Sequence, residues 1–236
     1  MKTGIRCIAL LASIIGIVTD AAAEPEINSS LPPLIVEHKN TVAIKFGSYS
    51  IAKRNQNLAI LGPGSFVSPL FGGSYIAYPR YALPIEISNS SQDVINISFE
   101  RQTNRGFSFG GELLHLNNSY ALASISPSQG KIKSTFLFAT VKKYFGEPGG
   151  FQPFVAGGAG GGSTELNTDK RRTANGPAAQ VVTGIRYQNS RINGYAEYRY
   201  VYAPSLSFSE GKNTGDIEGK LNLSGQGYFV GIGIHF

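Results

Sequence analysis

Tyr228-Phe-Val-Gly-Ile-Gly-Ile-His-Phe236 decides the fold, because its residues alternate with a period of two. Tyr228, Val230, Ile232, Ile234 and Phe236 share one face, while Gly227, Gly231, Gly233 and His235 share the other. Successive side chains of a strand point to opposite faces, so the stretch is a strand with one wholly apolar side. A wall between hydrocarbon and a packed interior demands that pattern. Upstream, Ala196, Tyr198, Tyr200 and Tyr202 oppose Glu197, Arg199 and Val201. Ile95, Ile97 and Phe99 oppose Asn96, Ser98 and Glu100, and Phe107, Phe109 and Leu113 oppose Ser108, Gly110 and Glu112.

Extending the reading predicts eight strands, at about 41–52, 94–102, 107–116, 132–145, 151–165, 177–188, 192–203 and 225–236. The connections then hold about 41, 4, 15, 5, 11, 3 and 21 residues, long and short in strict alternation. The three short ones, around Thr103–Gly106, Gly146–Gly150 and Asn189–Arg191, put both ends of the barrel domain on the turn side, as an even strand count requires. The fold class expected is all-β: an eight-stranded antiparallel up-and-down transmembrane β-barrel. A soluble eight-stranded barrel of the lipocalin kind has no reason to segregate its loop lengths, and its outer face should be polar.

The N-terminus carries Lys2 and Arg6, an apolar run from Cys7 to Val18, and the triplet Ala21, Ala22, Ala23. That is the anatomy of a signal peptide over residues 1–23, and the run is too short for a transmembrane helix. Cleavage would leave 19 basic and 14 acidic residues, a formal charge of +5, and would remove Cys7, the only cysteine. Disulfides and cysteine metal sites are thereby excluded from the mature chain. Residues 24–40 read as a periplasmic N-terminal extension and 41–236 as the barrel domain. The basic residues are scattered and the chain is addressed for export, which argues against nucleic acid and for a phosphate-bearing membrane surface. With 29 Gly, 12 Tyr and 14 Phe, the composition favours strands.

Three passages resemble the small outer-membrane β-barrels that include the OmpA transmembrane domain, OmpX and the opacity-type surface proteins. Phe151-Gln-Pro-Phe-Val-Ala-Gly-Gly-Ala-Gly-Gly-Gly162 looks like that family's aromatic-Pro-aromatic entry into a glycine-rich fifth strand. Ala196-Glu-Tyr-Arg-Tyr200 is similar to its penultimate strand. Tyr228 to Phe236 looks like the C-terminal signal read by the barrel-assembly machinery, with Tyr228, Val230, Ile232, Ile234 and Phe236 as the signal residues. The likeness covers about residues 94–236 well and 24–93 poorly. The chain departs from the pattern in having no tryptophan, so Tyr and Phe alone must form the interfacial girdles. The resemblance implies a location in the cell outer membrane of a Gram-negative bacterium, and a barrel without the peptidoglycan-binding domain of full-length OmpA.

If the apolar faces point outward, then Lys45, Glu100, Glu112, Lys142, Arg186, Glu197 and Arg199 point inward. Eight strands enclose a space just wide enough for side chains, so these charges are expected to pair in an interior ion-pair network. A packed polar core is favoured over a narrow ion path. Catalysis finds no constellation: His38 precedes the first strand, and His115 and His235 fall at opposite ends of the barrel. The adjacent His-Ser signature by which lipid A deacylases of this architecture are recognised is missing. His235 reads as a hydrogen-bonded core residue. Gly157–Gly162 matches neither dinucleotide nor phosphate-loop spacing and reads as close backbone approach or room for bulky neighbours. No cofactor or metal is expected.

Segment 53–93 is long for a connection in a compact domain, and such segments are functional or disordered. Disorder prefers fewer aromatics than Phe66, Phe71, Tyr75, Tyr78 and Tyr81 supply, so an ordered surface feature is expected, with these as candidate contacts. Lys170, Arg171 and Arg172 in the third loop are further candidates, for host polyanions or lipopolysaccharide phosphates. The partners expected are outer-membrane lipid and lipopolysaccharide, the barrel-assembly machinery and a host surface ligand. The function expected is a non-enzymatic surface barrel serving envelope integrity, adhesion or surface antigenicity. A small-solute or ion channel ranks second and a lipid-modifying enzyme last.

Overall fold

A computed structural model describes residues 40–236 apart from 53–54, 62–64, 68–74, 78–79, 88–90, 104–105, 123–128, 147–148, 168–170, 190 and 209–216. The expected signal peptide and nearly all of the N-terminal extension lie outside the described residues. Eight strands close into an antiparallel barrel: β1 (Asn40–Ile51), β6 (Ser91–Gln102), β7 (Phe107–Leu122), β8 (Gln129–Tyr144), β9 (Phe151–Asn167), β10 (Arg171–Gln188), β11 (Ile192–Tyr202) and β15 (Gly225–His235). Each pairs with its neighbour in sequence order, and β1 closes the ring on β15, with Ile44 opposite Ile232. Closure leaves no edge inside the spanning region, which hydrocarbon could not solvate.

The tight turns lie where expected. Gly106 at φ 72°, and Gly146 and Gly149 near φ 90°, take the left-handed conformation that a Cβ disfavours. Asn189 and Ile192 exchange backbone hydrogen bonds of 3.0 and 3.2 Å across a two-residue turn. Outside, Leu137, Val181, Tyr228, Ile232, Ile234 and Phe236 are among the exposed apolar residues. Val230 is half-buried. A closed barrel with such a belt is a membrane-spanning one.

The long connections differ from the expectation in a regular way. Segment 53–93 is not a free loop but carries β2 (Asn55–Leu61), β3 (Ser65–Val67), β4 (Tyr75–Ala77) and β5 (Arg80–Ile87). The last connection carries β12 (Leu206–Phe208), β13 (Ile217–Glu218) and β14 (Lys220–Leu221). β2 pairs with β5 and with β13, β5 with β7, and β12 with β10 and β14. The ring is therefore continued beyond the membrane: β7 to β10 run through unbroken for 16 to 18 residues, and the other four strands break and resume. Period-two alternation lapses at those breaks, which is why the continuation escapes a pattern search.

Side-chain amides mend the breaks. Gln56 accepts from the Asn222 backbone N–H at 2.6 Å and donates to its carbonyl at 2.7 Å, imitating a strand partner. The Tyr49 hydroxyl donates to the Leu223 carbonyl at 2.8 Å. The resumed segments fill the outer mouth with Leu58, Ile85, Ile87, Leu206, Phe208, Leu221 and Leu223. These pack with Leu114, Leu116, Ile132, Phe136 and Leu166 from the continuous strands. Inward glycines make the room: a Cβ at Gly162 would stand 2.5 Å from the Phe136 ring.

Asn118 stands opposite Ile132 and is buried, yet neither atom of its amide has a hydrogen-bond partner among the described residues. A buried, unpaired polar group costs about 1–3 kcal/mol. Asn118→Leu should therefore raise the urea midpoint of the protein folded in lipid vesicles, by about 1 kcal/mol or more in unfolding free energy. An unchanged or lower midpoint would show that Asn118 has a partner in the folded state.

Candidate functional site

The inward positions arrange themselves in layers from turn end to loop end. The first holds Thr41, Asn193 and His235, all buried. His235 Nδ1 lies 2.7 Å from the Thr41 hydroxyl and Nε2 lies 2.7 Å from Asn193 Oδ1, so both ring nitrogens are occupied by core hydrogen bonds. The second layer is aromatic, with Tyr144, Phe154 and Tyr195 around Ala43, Ala156 and Val182.

Above it lie the charges. All seven residues expected inside are there, and each is buried: Lys45, Glu100, Glu112, Lys142, Arg186, Glu197 and Arg199. They come from β1, β6, β7, β8, β10 and β11, so the cluster exists only when the ring is closed. Glu112 is the hub, with Arg199 Nη1 at 2.7 Å, Lys142 Nζ at 2.8 Å and Lys45 Nζ at 3.9 Å. Glu197 binds Arg199 at 2.6 Å and Lys45 at 2.9 Å. Glu100 takes Lys142 at 3.3 Å and Arg186 at 3.9 Å, and accepts from the Tyr144 and Tyr195 hydroxyls at 2.7 and 3.2 Å.

Four cations face three carboxylates, and the surplus positive charge is spread over neutral acceptors and rings. Arg199 donates to Gln180 Oε1 at 2.6 Å, and Gln180 in turn donates to Glu112 at 2.9 Å. Arg186 donates to Gln152 and to Gln102. Its guanidinium lies 3.6 Å from the centre of the Tyr144 ring. Sequence reasoning missed Gln180, Gln152, Tyr144 and Tyr195. Their signal was available: each falls on the inward parity of its strand, but a search for charge passes over neutral partners. Buried ions are sustained only when such hydrogen bonds complete the pairing.

The remaining sequence candidates lie elsewhere. Phe66, Tyr75 and Tyr81 belong to β3, β4 and β5, whereas Phe71, Tyr78 and Lys170 lie outside the described residues. Arg171 and Arg172 open β10 rather than forming a loop tip, because β9 and β10 pair as far out as Asn167 with Arg171. His115 Nδ1 is 3.0 Å from the Thr135 hydroxyl. The described residues contain no cluster of His, Cys, Asp or Glu able to hold a metal.

No family profile matches the sequence, and no curated protein matches it. Solved structures do. The outer membrane protein OprG from Pseudomonas aeruginosa superposes with a TM-score of 0.52 at 13% identity, over 84% of this chain and 96% of that one. Neisserial surface protein A gives 0.49 at 13% identity, over 85% and 98%. The N-terminal β-barrel domain of Pseudomonas aeruginosa OprF gives 0.39 at 14% identity, over 84% and 98%. At these identities the likeness is one of fold: the chain has the architecture of the small eight-stranded outer-membrane barrels.

Removing one partner from the network leaves the others charged and dry, at about 3–5 kcal/mol for a fully buried pair. Glu112→Gln should lower the unfolding free energy in lipid by roughly that amount, whereas Glu86→Gln, on the exposed face of β5, should change it by less than about 0.5 kcal/mol. Equal, negligible effects in urea titrations would mean that water reaches the network.

Proposed function

We propose that this protein is a non-enzymatic outer-membrane barrel, exported by a cleaved signal peptide, that acts through the surface it presents outside the cell. Its roles are envelope integrity, adhesion or display as a surface antigen. The observation that carries the reading is the filling of the interior. A fully buried charge layer lies at mid-height and an apolar plug lies above it, the latter supplied in part by the same resumed strands that project from the membrane. An aqueous path through such a barrel would have to part ion pairs of 2.6 to 2.9 Å and then wet a core of Leu, Ile and Phe. That leaves the outer surface to do the work.

The projecting segments suit recognition. β2 and β5 pair with each other, β2 also with β13 and β5 with β7, so the two strands that flank the sequence 62–79 are held in the extended ring. That stretch of sequence holds Phe66, Phe71, Tyr75 and Tyr78. Aromatic residues bring large contact area with few rotatable bonds and are enriched where proteins bind a partner. A host surface ligand is the partner proposed for it. In planar bilayers the protein should give no conductance steps. Replacing residues 62–79 with a short Gly/Ser linker should leave the barrel heat-modifiable on unboiled gels but remove binding of expressing cells to host cells or matrix. Stable conductance steps, or full binding by the linker variant, would each refute the reading.

Biogenesis adds a separate expectation. With the barrel-assembly machinery as partner, deletion of Phe236 or Ile234→Asp should reduce the amount of folded, heat-modifiable barrel in the outer membrane several-fold. Undiminished levels of both variants would rule out the C-terminal strand as the assembly signal.

A further inference from the structure

Registers on the lipid-facing wall place outward residues of β7, β8, β9 and β10 in ranks across the strands. Phe109, Val141, Gly157 and Val181 form one rank, and Gly111, Ala139, Ala159 and Ala179 the next. Then come Leu113, Leu137, Gly161 and Pro177, followed by His115, Thr135, Ser163 and Asn175. In these first three ranks β9 presents Gly157, Ala159 and Gly161, so the wall sinks into a trough flanked by Val141 and Val181 at one end and by Leu137 and Pro177 at the other, with Ala139 and Ala179 between. At its loop end the trough opens into a groove of about 510 Å³, bounded by Leu113 and Leu137 and by the polar rank of Thr135, Ser163 and Asn175.

The trough presents a shallow apolar depression to the bilayer that deepens at the groove beside Gly161. What stands above it is charged. Lys133 lies one rank beyond Thr135 and Lys131 one rank beyond that, both exposed, with Glu165 beside Lys133. Two residues along a strand span about 6.8 Å, so Lys133 and Lys131 stand two and three ranks past the last apolar rank, that of Leu137, toward the headgroups. Arg171 joins the same rank as Lys131 through Asn167 at the level of the backbone. Basic groups at that level attract anionic headgroups. The loop ends of the strands face the outer leaflet of an outer membrane, where phosphorylated glycolipid is the anionic amphiphile.

We propose that this trough is a binding site for one acyl chain of a phosphorylated glycolipid of the outer leaflet, with Lys133 and Lys131 holding its phosphate. Thr135, Ser163 and Asn175 supply hydroxyl and amide groups at the level of the acyl ester and sugar. The site goes beyond the reading above: it uses the outer wall, not the projecting hairpin, and is indifferent to what the hairpin binds.

The test uses the full barrel, folded in detergent and offered lipid A or phosphatidylglycerol, with bound lipid read by native mass spectrometry. Ala159→Leu fills the trough from the lipid side, and the Lys131→Gln/Lys133→Gln double variant removes the cations. Lys143→Gln, at the turn end of the same strand, is the control. All face outward, and heat-modifiability confirms that each is folded. Lipid A should be retained in preference to phosphatidylglycerol, with its mass unchanged. Retention should fall roughly tenfold or more in both the Ala159 and the double-lysine variants and stay level in the control. Retention indifferent to Ala159→Leu, or equal retention of both lipids, would overturn the site. So would a lipid-free dimer joined through Ala159→Cys, which would make the trough a contact between copies. Retention with loss of an acyl chain would uphold the site while overturning the non-enzymatic reading.

Discussion

Every backbone N–H and C=O that crosses hydrocarbon must find its partner within the protein, and here that requirement is met by β1 closing on β15. From closure at eight strands the rest follows. The ring is too narrow to hold bulk water and too wide to be left empty, so the interior must be filled by side chains from all eight strands. The interior face alternates with the lipid face residue by residue, which leaves about half of each strand to do the filling. Where long side chains meet, the partner strands carry glycine. Lys45 lies against Gly231, where a Cβ would stand 2.6 Å from its Cγ, and Phe136 lies against Gly162.

Two fillings are used, and they divide the work. The charge layer binds strands distant in sequence: the Lys45 to Glu197 pair joins β1 to β11, and Glu112 draws cations from β1, β8 and β11. An ion-pair network of this kind gives little net stability relative to an apolar core of the same volume. It does penalise any register in which a charge is left alone, because a slip of one residue sends the charged set to the lipid. The apolar plug has the opposite character. It is tolerant of detail and is furnished by segments that return from outside the membrane, so it couples the projecting strands to the barrel.

Legibility in the sequence followed the same division. Period-two alternation revealed the strands, and from Phe107 onward the ends agree within a few residues except at the loop side. There β7 and β10 run six residues past the expected ends, because pairing persists after the need for an apolar face has ceased. The seven buried charges were legible from parity alone. Their pairings were not, since these depend on side-chain reach across the lumen, and Gln180 and Tyr144 carry no charge to attract notice. Segment 53–93 was read from its aromatics as an ordered surface feature, but not as strand, which is what most of its described residues form. Its pairing partners β7 and β13 lie far away in sequence, and residues such as Pro84 interrupt the pattern that would announce them.

The contrast between continuous and interrupted strands organises the outer surface as well. β7 to β10 carry their ladder without interruption from turn to loop end, so this wall keeps a single register across the membrane boundary. Only an unbroken register keeps Gly157, Ala159 and Gly161 in one file with Ser163 and sets Lys133 and Lys131 just beyond it on the adjoining strand. On the other side, the breaks between β1 and β2, β5 and β6, β11 and β12, and β14 and β15 give up that continuity. In exchange, residues such as Leu58 and Leu221 reach the axis and seal the mouth. The barrel thus has a rigid wall turned to the membrane and a folded cap turned to the outside, both dictated by where the ladder is allowed to break.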